Sequence, residues 1–182
     1  MTISKKIALA AAIIFTFTFN AFSIGAGVQT GFTPSFEINQ DGGKFSNIEG
    51  NLTGTVKLFR LPVVFGAGLE AGTKNKTSGF TAGISAFTDY WALDIQLKNT
   101  WNLYSGFGIS CLIMTDFNSN WTGTAGFRTF AGCNWLFYDN YLEYYVQLNA
   151  VPSYTKLLSG TGTKEGSLRF SIPLETGVRL HF

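Results

Sequence analysis

The chain ends on Leu168-Arg169-Phe170-Ser171-Ile172-Pro173-Leu174-Glu175-Thr176-Gly177-Val178-Arg179-Leu180-His181-Phe182, and this stretch decides the fold. Leu168, Phe170, Ile172, Leu174, Thr176, Val178, Leu180 and Phe182 share one parity. Arg169, Ser171, Glu175, Gly177, Arg179 and His181 share the other. Alternation of this kind gives a strand one apolar and one polar face. Soluble strands usually run about five or six residues, whereas a tilted strand needs about nine to eleven to cross a bilayer. The length and the aromatic end predict an all-β fold, an antiparallel transmembrane β-barrel with lipid on one parity and a lumen on the other.

The amino end is consistent with export. Lys5 and Lys6 precede an apolar run, Ile7 to Phe19, that is too short to span a membrane stably. Ala21-Phe22-Ser23 puts small residues at the two positions a signal peptidase reads. Residues 1–23 are therefore expected to be a signal peptide cut before Ile24, and residues 24–182 a single barrel domain. A lipoprotein would need a Cys at the cleavage site, and none is there.

Charge removes other classes. The net +2 of the chain comes from Lys5 and Lys6, which leaves eleven basic against eleven acidic residues in the remainder. A neutral domain has no electrostatic footprint for nucleic acid. Cys111 and Cys133 both fall on the apolar parity, out of step for a disulfide. With one His they offer too few ligands for a metal site, and no cofactor is expected. Gly160-Thr161-Gly162-Thr163-Lys164 lacks the spacing of a phosphate loop and precedes a strand. The sequons at Asn51, Asn75 and Asn120 are coincidences of an Asn- and Thr-rich chain.

Parity and breaker residues divide the rest into strands and turns. Turns are expected at Asp41-Gly42-Gly43, Arg60-Leu61-Pro62, Thr73 to Ser78, Thr115 to Asn120, Tyr138-Asp139-Asn140 and Pro152 to Gly166. Parity flips across Thr88-Asp89-Tyr90, as an even-numbered turn or a bulge would make it do. Trp91 to Ile113 keeps one phase throughout, so it reads as one long strand or as two joined at Lys98-Asn99-Thr100. The first reading gives eight strands. The second, with a short extra strand at Tyr154 to Leu158, gives ten. Eight is favoured, because about twenty residues per strand suits the chain length. Tyr90, Trp91, Trp121, Trp135, Phe137, Tyr138 and Tyr141 fall near strand ends, as interfacial girdles require.

The inward parity collects Glu37, Glu49, Lys57, Glu70, Asp94, Lys98, Arg128, Glu143, Arg169, Glu175 and Arg179. Unpaired buried charge is costly, so near balance predicts a salt-bridged, largely plugged lumen. Arg128 and Arg169 are expected to find Glu143 and Glu175 nearby. His181 is the only histidine and falls at the rim. A hydrolytic triad needs a histidine beside a nucleophile, so no enzyme is expected.

Gly177-Val178-Arg179-Leu180-His181-Phe182 resembles the carboxy-terminal signal of bacterial outer-membrane β-barrel proteins, with Val178, Leu180 and Phe182 at the matching positions. The whole chain is similar to small barrels of the outer-membrane protein A membrane-domain type. The resemblance implies a bacterial outer-membrane location and recognition of the terminal motif by the barrel-assembly machinery. The partners expected are outer-membrane lipids, that machinery and an unidentified surface ligand, with the barrel a monomer. Its role would be structural or interactive. The alternatives are a narrow pore for small solutes and a secreted, soluble lipocalin-like barrel. Glycine crowding the charged parity disfavours the last, since that parity would have to face water.

Overall fold

The computed structural model describes residues 24–39, 42–58, 61–74, 79–98, 100–118, 120–160 and 166–182. Residues 1–23, the expected signal peptide, lie outside the described residues, as do Asp41, Arg60, residues 75–78 and residues 161–165. The elements are β1 (Ile24–Asn39), β2 (Gly42–Leu58), β3 (Val63–Lys74), β4 (Phe80–Lys98), β5 (Trp101–Thr115), β6 (Trp121–Phe137), β7 (Leu142–Ser159), β8 (Ser167–Ser171) and β9 (Leu174–His181). Every pairing is antiparallel between chain neighbours, and the last strand closes on the first. β8 and β9 are two halves of one strand. Both pair with β7 on one side and β1 on the other, so the ring has eight strands.

The interruption falls at Ile172-Pro173, where proline has no N–H to give the ladder. Hydrogen bonds bridge the gap: Ile172 N donates to the Pro34 carbonyl at 3.0 Å, and Asn149 N to the Pro173 carbonyl at 2.8 Å. Alternation survives it. Ser171, Pro173, Glu175, Gly177 and Arg179 are buried inward, while Leu168, Leu174, Val178 and Leu180 are exposed outward.

The register sets the geometry. Starting at Trp101 and moving strand to strand, the path runs through Trp135, Tyr144, Val178, Val28, Gly54, Ala67 and Ala86. It re-enters β5 at Cys111, ten residues along. A stagger of that size on eight strands tilts them by about 35–45° and leaves an interior that side chains fill. Ile24 and Phe182 meet at one end of the barrel, here the terminal end, with two backbone hydrogen bonds of 2.9 and 3.2 Å. The tight turns at Leu61-Pro62 and Tyr138 to Tyr141 share that end. Tyr138, Asp139 and Asn140 all have positive φ, with the Tyr141 N–H returning to the Tyr138 carbonyl at 3.1 Å. The other end, here distal, carries the β1–β2, β3–β4, β5–β6 and β7–β8 connections.

Several sequence expectations are corrected. Of the two readings of the parity flip near Thr88 to Tyr90, the turn is excluded, since β4 runs through it, and the bulge is found slightly later, between Trp91 and Leu93. The chain does turn between Lys98 and Trp101, so eight strands result by a route the sequence reading did not foresee. Pro152 to Ser159 belongs to β7, and Tyr154 to Leu158 forms no separate strand. Trp91, placed in the outer girdle by its phase, is 5% exposed and lies inside the barrel.

Candidate functional site: the lumen

The inward face divides into three layers. At the terminal end Glu143, on β7, is fully buried. One carboxylate oxygen accepts from Asn134 Nδ2 at 2.5 Å and lies 3.4 Å from Lys57 Nζ. The other lies 3.2 Å from Arg179 Nη1 and 3.0 Å from His181 Nε2. Side chains from three strands, β2, β6 and β9, thus converge on one acid of β7, and His181 is one of its partners at the rim.

Aromatic rings fill the space around these charges. Trp91 and Tyr104 stack at 3.9 Å with an interplanar angle of 1°, and Phe130 tilts against Tyr104 at 6.2 Å. Lys57 Nζ lies 3.6 Å from the Trp91 centroid, and the Arg179 guanidinium 3.8 Å from that of Tyr145. Glycines make the room. A Cβ on Gly177 would fall 2.5 Å from the Tyr145 ring, and one on Gly132 2.6 Å from that of Tyr104. Gly177 therefore has a packing duty in addition to its place in the terminal motif.

The middle layer centres on Arg128. Its Nε donates to Asp89 Oδ1 at 3.0 Å. Its Nη2 reaches Asp89 Oδ2 at 3.2 Å, Glu175 Oε2 at 3.0 Å and Asn149 Oδ1 at 3.1 Å. Asn149 in turn donates to Glu175 at 2.9 Å, and Phe87 lies 4.3 Å from the guanidinium. In the distal layer Arg169 donates to Glu49 and Ser35, and to Ser171 at 3.2 Å. Asn47 holds the other oxygen of Glu49 at 2.7 Å. A cavity of about 60 Å³, lined by Glu49, Glu70, Arg128, Arg169 and Glu175 among others, lies between the middle and distal layers.

The named charges are thus distributed unevenly. Glu143, Glu175, Arg128, Arg169 and Arg179 are brought into ion pairs: Arg128 meets Glu175, one of the two acids expected near it, but Arg169 meets Glu49, and Glu143 meets Arg179. Glu70 is half-buried beside the cavity. Glu37 is half-buried toward the distal end, in register with Lys44 and Arg169. Asp94 is exposed, at the mouth of the terminal end, where it lines the same hollow as Lys57. Asp89 was missed, because the parity flip was placed on it, as a turn or a bulge, where the strand continues. The aromatic filling was missed because Val64, Phe87, Tyr104, Phe130 and Tyr145 are apolar residues on a parity read as polar, and Trp91 was placed on the outward phase. Cys111 and Cys133 are free thiols, and no metal-binding cluster occurs among the described residues.

No protein-family model matches the chain, and no curated protein matches it in sequence. Among solved structures, Neisserial surface protein A superposes with a TM-score of 0.51 at 15% identity, over 86% of this chain and 97% of that one. The chain has the fold of a small outer-membrane β-barrel. Two further structures overlap more loosely. They are the attachment invasion locus protein of Yersinia pestis (TM-score 0.38, 12% identity, covering 87% of this chain and 98% of that one) and the outer-membrane protease OmpT of Escherichia coli (0.33, 9%, 88% and 98%). Similarity that loose says nothing of what the barrel does.

Proposed function

We propose that the protein is an integral outer-membrane barrel with a structural or surface-interaction role, its lumen closed by its own side chains, and no enzymatic chemistry. The observation that carries this reading is the Arg128 and Glu143 layers. Two buried groups, each engaged by several strands, span a lumen whose central cavity is about 60 Å³. A carboxylate held by Lys57, Arg179 and Asn134 is committed to packing. The ring of His181 is tied to that same carboxylate. The exposed outward face, with Val28, Leu52, Leu69, Ile84, Ile109 and Leu148 each more than half exposed, supports lipid as its surroundings. The signal peptide over residues 1–23 and recognition of Val178, Leu180 and Phe182 by the assembly machinery belong to the same proposal, as does the monomeric state.

Planar-bilayer recording tests it. Wild type should show no sustained current, while Arg128→Ala or Arg169→Ala should open measurable conductance and lower the urea midpoint. A steady wild-type current, unchanged by either substitution, would make the barrel a narrow pore instead. Orientation is read from cysteine labelling: a cysteine at Asn118 should react in intact cells, and one at Leu61 or Asp139 only after the outer membrane is opened. Deleting Phe182 should leave unassembled protein in the periplasm. Heat-modifiable barrel in that strain would remove the role of the motif.

A further inference from the structure

The outward face is not uniformly bulky. Ala86, Cys111 and Ala125 pair in register across β4, β5 and β6, a rung of small side chains. The rung is bounded below by Ile109 and Phe127 and ends against Tyr154 of β7. A groove of about 780 Å³ lies over it.

The wall beneath the groove is interrupted. Pairing of β6 with β7 stops after Gly126 with Ser153 and resumes at Thr129 with Ala150. Between them stands Pro152, which has no N–H for the facing Phe127 carbonyl. The interruption lies in the floor of the groove, which Gly126, Phe127, Pro152 and Ser153 line. Two residues beyond Tyr154 on the same face, about 7 Å along the strand, is Lys156. It is exposed, in register with Gly123, and has no ion pair among the described residues. A cation on an otherwise apolar face, at the distal end of an apolar groove, matches an amphiphile with an anionic head and a hydrocarbon tail.

We propose that this groove is a site for a phosphate-bearing lipid of the outer leaflet, the acyl chain lying over Ala86, Cys111 and Ala125 and the phosphate on Lys156. The proposal rests on the membrane reading above, which supplies the occupant: the groove faces acyl chains, and its distal end faces headgroups.

Cys111 reports on the site directly, since it is free and exposed within the groove. The experiment uses a Cys133→Ser barrel folded in dodecyl maltoside, with dodecyl phosphate as the probe, and follows alkylation of Cys111 by a maleimide. The probe should slow alkylation about tenfold, the result of a site about nine-tenths occupied. Extra dodecyl maltoside, with the same tail and a neutral head, should not. Lys156→Gln should restore the unprotected rate, and Ala125→Phe, which fills the groove, should abolish the dependence on the probe. In a Cys111→Ser barrel, alkylation of Cys133 should not respond. Equal slowing at both thiols, or protection that survives Lys156→Gln, overturns the site. Heat-modifiable migration of the same samples separates the two readings: a barrel that shows it but no protection loses only the lipid site, and a chain that never shows it loses the membrane reading too.

Discussion

The two halves of the lumen obey the same alternation and are filled in different ways. At the terminal end, Trp91, Tyr104, Phe130 and Tyr145 interleave with Lys57, Arg179 and Glu143, and ring faces cover the cations. At the distal end, Arg169 and Glu49 meet among Ser35, Asn47, Ser171 and a small cavity, with no ring stacked between them. Bulky rings need room beneath them, which Gly132 and Gly177 supply under Tyr104 and Tyr145, while Gly72 does the same for the Glu49 side chain in the distal half. A barrel of fixed diameter can thus be closed by rigid stacking or by hydrogen-bonded charge, and the choice follows which side chain is laid over each inward glycine.

Substitutions that break this contrast should have graded effects. Glu143→Ala should be the most damaging, because it leaves Lys57, Arg179 and His181 around an empty centre. Loss of one member of a buried ionic cluster costs about 3–5 kcal/mol. Unfolding in urea, followed by tryptophan fluorescence, checks it. Trp91→Ala should come next, at about 3–4 kcal/mol for an aromatic removed from a packed interior, with the loss measured by the same titration. Arg169→Ala should cost less, about 1–3 kcal/mol, since its side chain is 12% exposed and hydroxyls remain to receive Glu49. An Arg169→Ala loss larger than that of Glu143→Ala would reverse the ranking of the two halves. Leu148→Ala should cost under about 1 kcal/mol, because hydrocarbon replaces hydrocarbon at an outward position, and it should open no current. A loss of several kcal/mol there would mean that the outward face packs against protein.

The fold was legible because a two-residue period is a simple signal. Strands such as Val63 to Glu70 and Leu142 to Asn149 face as their alternation requires. What misled was a single extra residue. The bulge between Trp91 and Leu93 moves Trp91 inward and keeps Leu93, Ile95 and Leu97 outward, so the phase of Trp91 to Ile113 looked continuous across a real turn. The same bulge hid Asp89, where the parity flip was read as a turn or a bulge. Pro152 was read as a breaker, yet Ser153 and the residues after it keep pairing with β8. The ion pairs were legible as a population but only in part as partners: Arg128 finds Glu175, while Arg169 finds Glu49. Partner choice depends on the ten-residue stagger, which brings Arg169 beside Glu49 although 120 residues separate them. That quantity exists only once the ring is closed.

Closure itself has a consequence for how the protein comes into being. The pairing of Gly25 with His181 and the paired hydrogen bonds of Ile24 with Phe182 join the two ends of the described chain. These are the contacts of greatest sequence separation, and they form only once the last strand is in place. A chain without β8 and β9 is therefore no smaller barrel. It is an open sheet, with unserved N–H and C=O groups along the free edges of β1 and β7. For this architecture closure is a threshold: short of the last strand the sheet has two edges, and that one strand removes both.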